Sequence, residues 1–113
     1  MTVIWHNPKC SKSRQTLALL QERGEAVTIR RYLDDPPTAE ELRAARALLG
    51  VPAIEMMRSG EALFTDLGLT RTDPDETLIE AMASHPRLIE RPVVLARGSA
   101  VIARPPERAL DLF

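Results

Sequence analysis

Within its first 32 residues the chain switches from a short apolar, β-branched run to a helical segment and back, which limits its possible folds more than any other feature. Apolar and β-branched side chains run through Thr2-Val3-Ile4-Trp5 and return over residues 26–32, where Val27, Thr28 and Ile29 cluster. Between them, residues 11–23 read as a helix closed by Gly24. Strand, helix, strand over so short a span predicts a βαβ unit. The helix is the crossover that parallel strands require, and the connection is right-handed. Asp34-Asp35-Pro36-Pro37 then breaks the pattern.

The middle of the chain is helical. Thr38 and Glu41 have the spacing of a capping box, and Gly50 closes the helix they open. Leu42, Ala45, Leu48 and Leu49 form its expected apolar face. Short helical pieces are expected over residues 52–57 and 61–67, the second ended by Gly68. Asp73 and Glu76 repeat the capping-box spacing with Pro74 at the first helical position. That helix turns Leu78, Ile79 and Met82 inward and stops near His85-Pro86.

β-type sequence returns over residues 92–96 and 99–103, separated by Arg97-Gly98, which is a hairpin signal. Pro105-Pro106 ends the second strand, and residues 107–113 suit a short terminal helix. The order is β-α-β, a helical insert at about residues 38–85, then β-β-α. Outside the insert this is a thioredoxin-like layout: an α/β fold with a mixed four-stranded sheet flanked by helices. A length of 113 residues fits one domain, 1–113, better than two.

Charge and cysteine content narrow the function. A formal net charge of −1 argues against a nucleic-acid partner held by bulk electrostatics. No apolar stretch approaches membrane-spanning length, and the N-terminus lacks a signal-peptide core, so no membrane partner is expected. The single cysteine excludes an internal disulfide and fits a reducing cytoplasm. A monomer is expected. Of 15 basic residues only Lys9 and Lys12 are lysine, leaving 13 arginines, so no arginine is informative by its identity alone.

The single cysteine, Cys10, sits in His6-Asn7-Pro8-Lys9-Cys10-Ser11-Lys12-Ser13-Arg14, where the first strand ends and the first helix begins. The unpaired N–H groups and positive dipole end of that helix favour thiolate over thiol. Lys9, Lys12 and Arg14 add positive charge, which a purely structural cysteine does not need. Ser13 stands where a Cys-x-x-Cys pair has its second cysteine. Its hydroxyl can bond a thiolate or an adduct, or it is simply a residue of the first helical turn. Any disulfide of Cys10 must therefore involve another molecule. A phosphatase-type loop is excluded, because its arginine would fall where Thr16 stands.

Other candidates are open to two readings. His6 can lower the thiol pKa as an imidazolium or merely cap the strand end. Cys10, His6 and His85 lack a metal-ligand spacing, and no metal site is expected. Arg91-Pro92 precedes a core strand, where thioredoxin-like folds place a cis-proline facing the active cysteine. Arg91 then points into the site, or it is a turn arginine before an edge strand. Arg58 and Arg104 taken singly read as surface residues.

Taken together, His6 to Arg14, Ile89-Glu90-Arg91-Pro92-Val93-Val94 and Ile102-Ala103-Arg104-Pro105-Pro106-Glu107 resemble the glutaredoxin-coupled arsenate reductase family. The similarity extends over Tyr32 to Thr38 and the helical insert. It implies a thioredoxin-like fold enlarged by that insert, with Pro92 in cis, Cys10 as catalytic nucleophile and His6 beside it. It further implies an oxyanion-binding triad of Arg58, Arg91 and Arg104, with Ser13 and Arg14 next to the cysteine completing the group.

The implied activity is an oxidoreductase cycle in arsenic detoxification. Arsenate is a tetrahedral dianion and calls for several fork-shaped cationic donors. Cys10 attacks arsenic, glutathione serves as co-substrate and reduces the adduct to arsenite, and glutaredoxin restores the thiol. No bound cofactor is implied. The alternative is a monothiol glutaredoxin-like thiol-disulfide oxidoreductase acting on glutathionylated or other substrates. A redox-sensing regulator of RNA polymerase ranks third, since Ser13 removes the usual Cys-x-x-Cys switch. Arg91→Ala and Arg104→Ala are expected to weaken oxyanion binding and spare Cys10 alkylation.

Overall fold

β1 (Thr2–Trp5) and β2 (Val27–Arg30) pair in parallel, with Thr2 opposite Val27 and Trp5 opposite Arg30. The crossover between them is α1 (Ser11–Glu22). The structure is a computed structural model and describes residues 1–113. β2 is shorter than residues 26–32, because the Arg31 carbonyl accepts from the N–H groups of Asp34 and Asp35 and turns the chain.

β3 (Val93–Ala96) runs antiparallel to β1, and β4 (Ser99–Ile102) antiparallel to β3. The sheet order is β2-β1-β3-β4, the mixed four-stranded arrangement of a thioredoxin-like fold. Arg97 and Gly98 join β3 to β4 with φ of 55° and 72°. Two successive positive φ values give the type I′ turn whose twist suits a two-residue hairpin. The last element, Pro106–Leu112, is a 3-10 helix rather than an α-helix, with Arg108 N–H bonded to the Pro105 carbonyl.

The chain divides into two compact units. The first, Met1–Asp35 with Arg91–Phe113, contains the sheet. Ile4 lies opposite Val94 and Val94 opposite Val101, forming one cross-strand row on one sheet face. That row is buried together with Leu20 of α1, Ala103 and Ala109, and Leu17, Val27, Leu112 and Phe113 pack around it. α1 and the C-terminal 3-10 helix thus cover this face, fixing where α1 begins.

The second unit, Pro36–Glu90, spans the helical insert. It contains α2 (Ala39–Leu49), a 3-10 turn (Ala53–Met56), α3 (Ala62–Asp66), α4 (Asp75–Ser84) and a 3-10 turn (Pro86–Leu88). The first capping box forms: Glu41 N–H bonds Thr38 Oγ1 at 3.1 Å and Thr38 N–H bonds Glu41 Oε1 at 3.0 Å. Leu42 and Ala45 are buried, but Leu48 is 43% exposed. At about 100° per residue Leu48 lies roughly 120° round the helix from Leu42, off the apolar stripe.

The second capping box does not form. The Asp73 carboxylate accepts from Thr70 N–H and Oγ1–H at 3.0 and 2.8 Å, and Glu76 pairs with Arg43. α4 therefore starts at Asp75, whose carboxylate instead takes Ala53 N–H at 3.0 Å and Arg46 Nη2–H at 2.6 Å. Leu78, Ile79 and Met82 are buried as their spacing predicts. No helix is long and apolar enough to cross a membrane.

Candidate active site

Cys10 is the N-cap of α1, with extended backbone at φ −97° and ψ 122°. Its own N–H bonds the Asn7 carbonyl at 3.0 Å, and its carbonyl accepts the Arg14 N–H that starts the helix. The side chain is half-buried. The N–H groups of Ser13 and Lys12 face the sulfur without closing a cap bond to the neutral thiol, and the Arg91 guanidinium lies within hydrogen-bonding reach of it. Burial alone pushes the thiol up. The Ser13 N–H, the hydrogen bond and charge of Arg91, and the Lys12 N–H more than offset this, leaving the thiol below its ordinary range.

The loop before the helix is held at several points. Asn7 Oδ1 accepts Lys9 N–H at 3.0 Å, an Asx turn. The Asn7 N–H donates to Ser13 Oγ at 3.1 Å, and Arg14 Nη1 donates to the Pro8 carbonyl at 2.9 Å. His6 N–H bonds the Arg30 carbonyl at 2.7 Å, next to the last β1–β2 pair. The reactive position is thereby tied to the ends of the paired strands β1 and β2.

His6 and Ser13 form one buried pair, with His6 Nδ1 2.7 Å from Ser13 Oγ. Burial lowers the His6 pKa, and the charges of Arg31 and Arg14 lower it further. Both effects disfavour the imidazolium form of His6 and so weigh against the reading in which it assists the thiol as a cation. Ser13 is fully buried and its hydroxyl is taken by His6 and Asn7; what it turns toward Cys10 is its backbone N–H. Arg14 is exposed, with its guanidinium on the Pro8 carbonyl.

The Arg91–Pro92 peptide is cis, and so is Arg104–Pro105, which carried no sequence signal. The Pro92 carbonyl accepts Ala103 N–H at 2.9 Å. Arg104 Nη1 donates to the Arg91 carbonyl at 3.1 Å. Cys10, His6, Ser13, Arg14, Arg91, Pro92 and Arg104 all belong to the first unit.

Arg58 belongs to the second unit, where its N–H bonds the Leu88 carbonyl at 2.8 Å. Its guanidinium lies 3.5 Å from Glu61 Oε2. No three or more His, Cys, Asp or Glu side chains gather in a metal-binding group. The residue missed from sequence is Asn7, whose place before Pro8 is itself a turn signal.

The ArsC family model matches residues 5–112. An arsenate reductase of Neisseria meningitidis serogroup A is 47% identical over 106 residues, covering 92% of this chain and 91% of that protein. The uncharacterized protein YfgD of Escherichia coli is 46% identical over 111 residues, covering 96% and 93%. The solved structure of an arsenate reductase from Vibrio cholerae matches with a TM-score of 0.95 at 46% identity, covering 99% of this chain and 97% of that one. With a family match over nearly its whole length and relatives this similar, the chain belongs to the ArsC family.

Proposed function

We propose that the protein reduces arsenate to arsenite through a covalent adduct on Cys10, with glutathione and glutaredoxin supplying the later sulfurs. The observation that carries this reading is the half-buried Cys10 thiol, lowered in pKa by helix N–H groups and by Arg91. A thiolate and an arsenate dianion repel each other, and the Arg91 guanidinium beside the sulfur offsets that repulsion. The arsenate reductases of N. meningitidis and V. cholerae support the choice of oxyanion.

In the first step the Cys10 sulfur attacks arsenic, forming S–As and expelling an oxygen that leaves, once protonated, as water. A glutathione thiolate then attacks the Cys10 sulfur. The S–As electron pair stays on arsenic, reducing As(V) to As(III), while two thiolates become one mixed disulfide. Glutaredoxin exchanges that disulfide and frees Cys10. Because Cys10 is the only cysteine, each sulfur after the first comes from another molecule.

The test is NADPH consumption by the purified protein with glutathione, glutaredoxin and glutathione reductase, with and without arsenate. Arsenate-dependent turnover abolished by Cys10→Ser is expected. A flat trace with arsenate, alongside rapid deglutathionylation of a test peptide, would replace this reading with a monothiol glutaredoxin-like activity.

A further inference from the structure

The residues on either side of Cys10 include the chain's only lysines, Lys9 and Lys12. Both are exposed, and their backbones are fixed. Lys9 N–H is bound to Asn7 Oδ1, and Lys12 N–H faces the sulfur. Their ammonium groups make no hydrogen bond or ion pair, whereas neighbouring cations are committed. Arg14 holds the Pro8 carbonyl, Arg104 holds the Arg91 carbonyl, Arg91 meets the thiol, and Arg31 pairs with Asp34. No acidic residue lies in the first turn of α1. The unit containing Cys10 has ten basic and six acidic side chains, against five and ten in the other.

We propose that Lys9 and Lys12 form a rim that selects a small carboxylate-bearing peptide thiol as the resolving partner of Cys10. This rests on the reading of Cys10 as the nucleophile. Lysine suits the task because its ammonium is a compact charge on a flexible stem, which can follow a carboxylate without competing as a fork for a tetrahedral oxyanion. In a short peptide thiol a terminal carboxylate lies one or two residues, about 3.5–7 Å, from the sulfur. Exposed charges act on the approach, so the preference resides in the second-order rate and weakens with salt.

The step is thiol-disulfide exchange or its adduct equivalent. The incoming thiolate forms a bond to Cys10 Sγ, the bond from Sγ to its substituent breaks, and the electron pair departs with that substituent. A neutral thiopyridyl disulfide on Cys10 isolates this step with no oxyanion present. Thiopyridone release is timed with glutathione, which has two carboxylates against one ammonium, with neutral 2-mercaptoethanol and with cationic cysteamine.

In the unsubstituted protein added salt should lower the glutathione rate more steeply than the 2-mercaptoethanol rate, because the attacking glutathione thiolate carries a net charge of −2 and the 2-mercaptoethanol thiolate −1. K9Q/K12Q should lower the glutathione-to-2-mercaptoethanol ratio roughly five- to tenfold. K9E/K12E should shift the preference toward cysteamine. An unchanged ratio in both variants, or a glutathione rate indifferent to salt, overturns the proposal. Loss of arsenate turnover with the ratio behaving as expected overturns the arsenate reading instead.

Discussion

Arg104 donates from Nη1 to the carbonyl oxygen of Arg91 at 3.1 Å, so one guanidinium holds the backbone of the arginine whose own guanidinium reaches Cys10. A residue that works through a neighbour shows coupled losses. Arg91→Ala is expected to lower kcat/KM for arsenate roughly a hundredfold. Arg104→Ala alone should lower it roughly tenfold but, added to Arg91→Ala, by only about threefold more, a coupling of about 0.7 kcal/mol, within the range of about 0.5–3 kcal/mol for residues that act through one another. Full additivity in the double-mutant cycle would instead place Arg104 on the oxyanion independently of Arg91.

Arg91 also alters what alkylation should report. The sequence led to the expectation that Arg91→Ala spares Cys10 alkylation. In the structure the Arg91 guanidinium is one of the groups that hold the thiol down. Removing it raises the thiol pKa and thins the thiolate at neutral pH. The pH midpoint of iodoacetamide alkylation should therefore move upward in Arg91→Ala, and the neutral-pH rate should fall by several-fold. An unmoved midpoint would show that the helix N–H groups alone stabilise the thiolate.

The fold was legible because its signals are local. The β-branched runs, the Thr38–Glu41 box and the Arg97-Gly98 turn each specify their own geometry. The second box failed because nothing in its spacing reveals that Asp73 turns back to Thr70 or that Glu76 meets Arg43 from another helix. Cys10 was legible from its place between strand and helix. The protonation of His6 was not, because Arg31 and Arg14 act on it through space and burial exists only after folding. Ser13 was ambiguous for the same reason, since the partner of its hydroxyl is a strand-end residue seven positions earlier.

Ser13→Ala separates the two roles that its position allows. The hydroxyl satisfies the Asn7 N–H and His6 Nδ1 in a buried setting, so its loss leaves polar groups without partners. The expected cost is about 1–3 kcal/mol in urea unfolding. The backbone N–H facing Cys10 survives the substitution, so the midpoint of the alkylation pH profile should barely move. A large shift in that midpoint with unchanged stability would mean the hydroxyl serves the thiolate directly.

Thr38→Ala removes one half of a formed capping box, since Glu41 N–H loses its acceptor. Urea unfolding should show a loss of about 0.5–2 kcal/mol. Asp73→Asn probes the box that did not form. It weakens a turn around Thr70 rather than the start of α4, so amide exchange should quicken at Thr70 and not at Leu78. Faster exchange at Leu78 would show that Asp73 caps the helix in solution.

His6 makes stability depend on pH in a defined direction. Burial depresses its pKa in the folded protein, and the charges of Arg31 and Arg14 depress it further. The unfolded chain, with a histidine pKa of about 6.5, then binds more protons than the folded one as the pH drops. The favourable contribution of neutral His6 is complete above that pH and is lost as pH falls through the folded value. His6→Gln keeps a polar side chain without a titrating ring, so its unfolding free energy should decline less between about pH 6.5 and 5. Titration of the His6 ring by NMR should give a midpoint below that of a free histidine. A midpoint above it, together with a His6→Gln profile that declines more steeply than the parent's, would reverse the assignment and make His6 an imidazolium beside the thiol.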